Sequence, residues 1–392
     1  MRPLLEIKQK NKQKIIYLLC TQEHLSKKRL AIQLGLSPAV LTKLCSELIN
    51  EKLIIETDPI SSNKAGRKEI GLTINTHFGY FIGITLNHNK TIVILSDLKM
   101  NILDETCINT SHKAYSHLDN VINSLYELIN RNNIDISKIL GIAISIKGHT
   151  DGVYSYTGIW DTTINVKDYL SSKIDIPIVI DNGIRCSAML EQFSNNDLSN
   201  FIFIKYMLPG IGGATVKHNR VQRGENHLIT DFGHIIVDPK GPYCPICKRR
   251  GCLESTISLE KILSYAKTIF SVKESPILFE ICEGDISNIS IKNILKSAEK
   301  GSIPFNILLK DVANYFAIAL INTIAITDFK KIIIIGDLFD SNRFRELLRS
   351  SLLEYQFTPL YENIKFTTHI NELLSPIALA FNVFLFNLFS ID

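Results

Sequence analysis

The chain has 392 residues, 45% of them hydrophobic and 21% charged, with a formal net charge of +4. This composition suits a folded protein with a substantial core and more than one domain, and excludes a disordered or low-complexity chain. Residues 1–75 hold 13 Lys and Arg against 7 Asp and Glu, a surplus of +6, whereas the remainder sums to −2. The expectation of an anionic partner therefore attaches to the N-terminal fifth.

The first stretch, MRPLLEIKQKNKQK, interleaves charge with apolar residues and has no continuous apolar segment of a secretory leader, so a cytoplasmic protein is predicted. NKQKIIYLLCT then places Ile15, Ile16 and Leu19 on one helical face. SKKRLAIQL follows with Ser26 as N-cap and Leu30, Ala31 and Leu34 inward, and Gly35-Leu36 makes a tight turn. Ser37 and Pro38 open a third helix, in which Val40 or Leu41, with Leu44, Leu48 and Ile49, face inward. Ala39, Thr42, Lys43 and Ser46 are left facing out. LIIETD and KEIGLTIN read as two strands joined by the polar turn PISSNKAGR.

Two amphipathic helices joined by a short glycine turn and followed by a strand pair predict a winged helix-turn-helix over residues 1–75. Its expected partner is a double-stranded DNA operator. Lys43, Lys64, Arg67 and Lys68 are the candidates for neutralising phosphates or entering a groove, and Ser37, Ala39 and Thr42 for reaching base edges.

From residue 76 to 392 strands and helices alternate. YFIGITL, KTIVILSDL and MNILDE read as a strand meander, HLDNVINSLYELINRN as a helix, and ILGIAIS and IPIVID as buried strands. Arg185 to Phe193 reads as a helix, NFIFIKYM as a strand, and LPGIGGATVKHNRVQRGE as strand, glycine turn and strand. DVANYFAIALINTIAITDF is a long apolar helix feeding the buried strand KKIIIIGDL. The result is an α/β architecture with mixed sheets. The uncharged run SPIALAFNVFLFNLFSI carries Pro376, Asn382 and Asn387 and is predicted to be a buried terminal helix rather than a membrane span.

Cysteines at 20, 45, 107, 186 and 282 stand among apolar neighbours, as reduced core cysteines do. The other three lie in FGHIIVDPKGPYCPICKRRGCLES. Cys244 and Cys247 form a Cys-x2-Cys pair whose sulfurs converge on one ion, Cys252 returns after Gly251, and His234 supplies a fourth ligand. A zinc ion with four protein ligands has no open coordination position, so a structural ion is expected.

The helix-turn-helix with a wing ending in AGRK, GIGGA at 210–214, DFGH at 231–234 and CPICKRRGCLE at 244–254 together resemble the ROK family of repressors, open reading frames and sugar kinases. The resemblance runs in order over nearly the whole chain. It implies a two-lobed actin-like ATPase (ribonuclease H-like) domain with a sugar site, assembled as homodimers or homotetramers. The family's cysteine motif is usually Cys-x-Cys-Gly; here the pair has one extra residue, and Lys248 stands where glycine is usual. By resemblance, Asn182, Asn226, Asp231 (where the family usually has glutamate), His234 and Glu254 hydrogen-bond sugar hydroxyls. An actin-like kinase of this family takes its base from an Asn-Asp pair, and here Asn182 is followed by Gly183, which cannot accept a proton. Thr85 and Asn87 stand where the first phosphate loop has an acidic residue and glycine, and Gly336-Asp337 replaces a glycine pair on the nucleotide side. The sequence therefore predicts a non-enzymatic transcription regulator, a repressor of carbohydrate-utilisation genes controlled by a sugar or sugar phosphate. The competing readings are a degenerate or bifunctional sugar kinase and a regulator controlled by a protein partner.

Overall fold

The structure is a computed structural model and describes residues 2–22, 24–60, 69–156, 160, 162–195, 198–208, 210–225, 231–357, 361–367 and 370–385. Lys64, Arg67 and Lys68 of the basic turn, and Asn226, lie outside these residues. Two compact units are built from Met1–Asn195 with Asn371–Asp392 and from Asn196–Ile370.

In the first unit α1 (Arg2–Thr21) is longer than its apolar face predicts, and Ile15, Ile16 and Leu19 are fully buried on it. β1 (Leu25–Ser26) follows, and the Ser26 hydroxyl oxygen accepts the Arg29 N–H at 3.2 Å to start α2 (Lys27–Leu34). Gly35 ends α2 at φ +63°, the left-handed conformation that glycine adopts without a Cβ clash. The Ser37 oxygen accepts the Val40 N–H at 3.4 Å, and Pro38 opens α3 (Pro38–Asn50). Leu41, Leu44, Cys45 and Leu48 are buried on α3; Val40 is 46% exposed, so Leu41 is the inward residue of that pair. Lys12 of α1 reaches Glu51 at 2.6 Å and Glu47 at 3.1 Å, and Lys8 reaches Glu47 at 2.8 Å, fixing α1 across α3. β2 (Ile54–Ile60) and β3 (Glu69–Ile74) pair antiparallel, and β1 adds a third strand in the order β1-β3-β2. A two-residue strand such as β1 has no periodicity to announce it, since pairing with Gly71 and Leu72 is what makes it a strand.

The mixed sheet of this unit contains β4 (Tyr80–Leu86), β5 (Lys90–Asp97), β6 (Ile102–Asn109) and β7 (Ile139–Ile146), with α4 (Ala114–Arg131) between the last two. The short strands β8 (His149–Thr150), β9 (Tyr154–Tyr156) and β10 (Ile164–Asn165) form a small sheet, and α5 (Val166–Ser171) leads to β11 (Ile178–Asn182) and α6 (Gly183–Ser194). The main order is β11-β7-β4-β5-β6, with β4, β7 and β11 parallel and β5 and β6 antiparallel. The C-terminal helix Ser375–Ala380 is wholly buried; Gly83 of β4 passes so close that a Cβ would lie 2.9 Å from Ile377. The buried-helix expectation holds for Ser375 to Leu385, and the rest of that run is outside the described residues. Tyr17 of α1 donates its hydroxyl to the Gln192 carbonyl at the end of α6, 3.0 Å away. Its ring meets Phe193 edge-on at 5.0 Å, and Phe193 in turn meets Phe381 at 4.4 Å. Cys107 is exposed on the edge strand β6, unlike the core cysteine expected there.

The second unit repeats this arrangement. β12 (Phe201–Met207), β13 (Gly210–Lys217) and β14 (Arg220–Val221) form a meander, followed by α7 (Leu253–Ile257), α8 (Leu259–Thr268), α9 (Pro276–Ile281), α10 (Ile291–Glu299) and α11 (Ile303–Thr327). β15 (Ile332–Gly336), α12 (Asn342–Glu354) and β16 (Ile364–Thr367) complete it in the order β14-β13-β12-β15-β16, again three parallel strands beside two antiparallel ones. The predicted glycine turn in GIGGA is instead strand. Met207 pairs with Gly210, Lys205 with Gly212 and Ile204 with Gly213, so the reversal falls between residues 207 and 210. The next reversal uses His218 and Asn219, both at positive φ, as a two-residue hairpin between twisted strands requires. Among the described residues α11 is the one helix long and apolar enough to cross a membrane; it instead seats Phe305, Leu309, Val312, Phe316 and Leu320 in the core.

Candidate effector and metal site

Three of the predicted effector contacts, Asp231, His234 and Glu254, come together in the second unit because local backbone pairing forces them to. A 3-10 turn over Phe232–His234 carries His234, with Asp231 as its cap. The chain then pairs with the cysteine segment: Ile236 bridges Cys252, and the Leu253 N–H donates to the Ile235 carbonyl at 2.8 Å. Asp231 is exposed, while Glu254 in the first turn of α7 is half-buried.

Glu254 occupies space that two glycines leave open. Its Oε2 accepts the Ile211 N–H at 2.9 Å. A Cβ on Gly210 would lie 2.4 Å from that oxygen, and a Cβ on Gly233 would lie 2.0 Å from the Ile211 carbonyl oxygen. Burial pushes the Glu254 carboxyl up, against the opposing pull of the Ile211 N–H and the His234 charge. The glycines of the strand therefore serve to admit a carboxylate and its neighbouring backbone. We expect Gly210→Ala to destabilise the protein by about 1–3 kcal/mol, with Glu254→Ala relieving that loss in the double variant. Gly233→Ala meets backbone instead of a side chain, so Glu254→Ala should not rescue it; denaturant melts of the three single and two double variants check both statements.

His234, Cys244, Cys247 and Cys252 place one ligand atom each within 4.8 Å of one another. Nδ1 of His234 lies 3.9 Å from Sγ of Cys244, close to the roughly 3.5–3.8 Å separation of ligand atoms around a tetrahedral zinc. The Cys-x2-Cys turn is closed by the Lys248 N–H on the Cys244 carbonyl at 2.9 Å and by the Cys244 N–H on the Arg249 carbonyl at 2.8 Å. Lys248 has φ +58°, so it takes the left-handed conformation for which glycine is the usual residue. Gly251 is stricter: at φ +68° a Cβ would sit 1.4 Å from the Asp238 carbonyl oxygen. Burial pushes the Cys252 thiol up to about 11. Burial also works against ionising Cys247, but hydrogen bonds from Arg249, Cys244 and Cys252 together hold that thiol below its ordinary value. The donor set and its spacing fit a thiophilic tetrahedral ion, and the arrangement could bind a metal. Arg249 is the one contributor that spacing did not reveal; the KRR run before Gly251 was its only trace.

Asn182 belongs to the first unit and acts as the cap of α6. Its side-chain oxygen accepts the Ile184 N–H at 2.9 Å and the Arg185 N–H at 3.4 Å, and its amide donates to the Gly148 carbonyl. Gly183 follows as the first residue of α6. Asp181 is 1% exposed and ion-paired with Arg185 at 2.5 Å, on the side away from solvent. Thr85 lies within β4 opposite Ile92 and Ser145, and the Asn87 N–H closes a hairpin on the Lys90 carbonyl at 3.3 Å. Asp337 opens a short 3-10 turn, and burial, then the charge of Asp340, raise its carboxyl.

On α3 the residues predicted to face outward do so: Ala39, Thr42, Lys43 and Ser46 are all exposed, as is the cap residue Ser37. The Thr42 hydroxyl donates to the Pro38 carbonyl at 2.8 Å.

Comparison with known proteins agrees with this geometry. The putative xylose repressor of Caldicellulosiruptor sp. (strain Rt8B.4) is 26% identical over 371 residues, covering 92% of this chain and 91% of that protein. The crystal structure of a ROK family transcriptional regulator, a homolog of the E. coli MLC protein, superposes with a TM-score of 0.73 at 23% identity, covering 97% of each chain. A ROK family glucokinase from Streptomyces griseus, in complex with glucose and AMPPNP, matches 78% of this chain and 99% of its own, with a TM-score of 0.61 at 19% identity. These likenesses establish the ROK fold, of the actin-like ATPase type. The ROK family model itself matches residues 81–371, spanning both five-stranded sheets and the cysteine cluster, and the chain belongs to that family.

Proposed function

We propose that this protein is a DNA-binding transcription regulator that represses carbohydrate-utilisation genes and responds to a sugar or sugar-phosphate effector. The observation that carries the reading is the pairing of two features in one chain: a basic helical module with an exposed helix face, and a ROK body with glycine at the catalytic-base position. Residues 1–75 are the winged helix-turn-helix domain, and residues 76–392 the two-lobed sugar-binding and oligomerisation domain. Ser37, Ala39 and Thr42 reach base edges, and Lys43, Lys64, Arg67 and Lys68 neutralise phosphates or enter a groove. Regulators with such a module act as two-fold assemblies on paired half-sites, so a homodimer or homotetramer on a near-palindromic operator is expected, in the cytoplasm where the DNA is.

Asn182, Asn226, Asp231, His234 and Glu254 are the effector contacts, since carboxylates, amides and an imidazole offer the mix of donors and acceptors that polyols require. His234 serves both functions: Nδ1 faces the cysteines, which leaves Nε2 for a hydroxyl. Zinc is the ion that fits the cluster of His234, Cys244, Cys247 and Cys252. When bound it supplies a cross-link between the His234 turn and the Glu254 helix, with no coordination position left for chemistry.

Phosphoryl transfer lacks its base: Gly183 carries no side chain, and Asp181 is held in an ion pair with Arg185. ATP turnover across a hexose panel should therefore show no sugar-dependent ADP release; release at ordinary enzyme rates would overturn the assignment. Binding to the chain's own upstream region should weaken steeply with salt, and Lys43→Ala should lower the logarithmic salt slope by about 1 per half-site while weakening binding to all sequences alike. Gel shifts with and without xylose and hexose phosphates test the effector reading, with unchanged shifts throughout counting against it.

A further inference from the structure

Resting on the DNA-binding reading, we propose that α3 recognises thymine through its C5-methyl group, by methyl-to-methyl packing in the major groove, with Ala39 and Thr42 as the specificity-determining residues. The side chains that read purines with paired hydrogen bonds are arginine for guanine and asparagine or glutamine for adenine. The first two exposed turns of α3, from Pro38 to Ser46, contain none of them. Lys43 is the sole cation there, and a flexible ammonium serves a guanine edge or a phosphate.

What remains is largely apolar. Leu41, Leu44, Cys45 and Leu48 point into the core, which fixes the opposite face as the one presented. At 100° per residue that face centres on Ala39, Lys43 and Ser46, with Thr42 on one flank and Val40 on the other. Thr42 is exposed, but its hydroxyl hydrogen is spent on the Pro38 carbonyl at 2.8 Å, so its methyl is the part free to discriminate. The Ser37 oxygen is likewise occupied as the helix cap, which leaves that residue one hydroxyl hydrogen to give. Val40 adds a branched side chain, 46% exposed at the rim. In a major groove the thymine methyl is the base-edge group that the apolar part of this surface favours, because small apolar side chains pack against it. Charge complementarity directs the face to DNA: the N-terminal 75 residues hold the chain's basic surplus, while Lys8 and Lys12 are paired with Glu47 and Glu51 and Lys43 projects from the face itself.

The test uses the full chain and a duplex that it enriches from a random-sequence pool. Replacing the thymines of each half-site with deoxyuridine removes only the methyl groups. The expected result is a loss of affinity of about threefold to tenfold per contacted thymine, at the lower end of or below what a bidentate base contact provides. Thr42→Ser, which deletes the side-chain methyl, should weaken binding to the thymine duplex and reduce the deoxyuridine penalty. Thr42→Val, which keeps a methyl and deletes the hydroxyl, should retain that penalty. An enriched duplex whose affinity changes less than twofold on deoxyuridine substitution overturns the inference and leaves the DNA-binding reading standing. A Thr42→Ser variant that keeps the whole penalty also overturns it. Failure to enrich any duplex overturns both.

Discussion

Cys252→Ser is expected to release an otherwise equimolar zinc and to lower the melting temperature of the second unit by about 6–12 °C, equivalent to about 3 kcal/mol at this size. Two roles converge on that one sulfur: it is a ligand atom of the cluster, and it caps α7 by accepting the Ser255 N–H at 3.5 Å. A structural ion contributes its binding free energy to folding, so the loss should appear as both metal content and stability. Elemental analysis and thermal melts check it, with Cys282→Ser, a buried cysteine outside the cluster, as the variant that keeps its zinc. Chelation should shift the parent protein toward the variant's melt and leave the variant unmoved. A fully folded parent protein free of metal would contradict the assignment.

Arg185→Leu should cost about 3–5 kcal/mol, because it removes the guanidinium whose charge is paired with the Asp181 carboxylate in an interior site. Asp181 is 1% exposed and Arg185 5% exposed. Besides the ion pair, the guanidinium donates to the Thr150 carbonyl at 3.1 Å, and Asp181 accepts the Asn182 N–H at 2.8 Å. The pair therefore holds the turn from which Asn182 projects. The double variant Asp181→Leu/Arg185→Met removes both charges and should recover most of the loss, since a well-packed apolar pair of similar volume replaces a buried ion pair at little cost. Chemical denaturation midpoints of the three proteins decide it; an Arg185→Leu midpoint equal to the parent's would show that the pair does not stabilise the turn.

Much of the fold was legible wherever the determining interaction is local. Ser26, Gly35, Ser37 and Pro38 act within one turn of the helices they start or stop, and the inward leucines of α3 repeat at helical spacing, so each reads directly from the sequence. The elements that were missed or misread depend on distant partners. β1 exists because β3 lies beside it, and the glycines of β13 are strand residues because β12 pairs with them and Glu254 comes in from α7. A glycine signals freedom of the backbone and closeness of a neighbour equally well, and the sequence does not say which of the two applies. The same ambiguity affected the site. Four metal ligands of two types, one histidine and three cysteines, were visible at chelating spacing, whereas Arg249 beside Cys247, and the engagement of Asn182 as a cap, follow from how the loops close.

The contact of Tyr17 with the end of α6 bears on how such a chain can be recombined. Its hydroxyl, its ring and the Phe193–Phe381 pair behind it join a residue near the start of the chain to two segments far beyond residue 75. A cassette cut after residue 75 and grafted onto another ROK body would leave Tyr17 facing a surface that never evolved to receive it. Portability then depends on three aromatic positions being exchanged together, 17, 193 and 381, so the unit of inheritance for the N-terminal module is larger than residues 1–75.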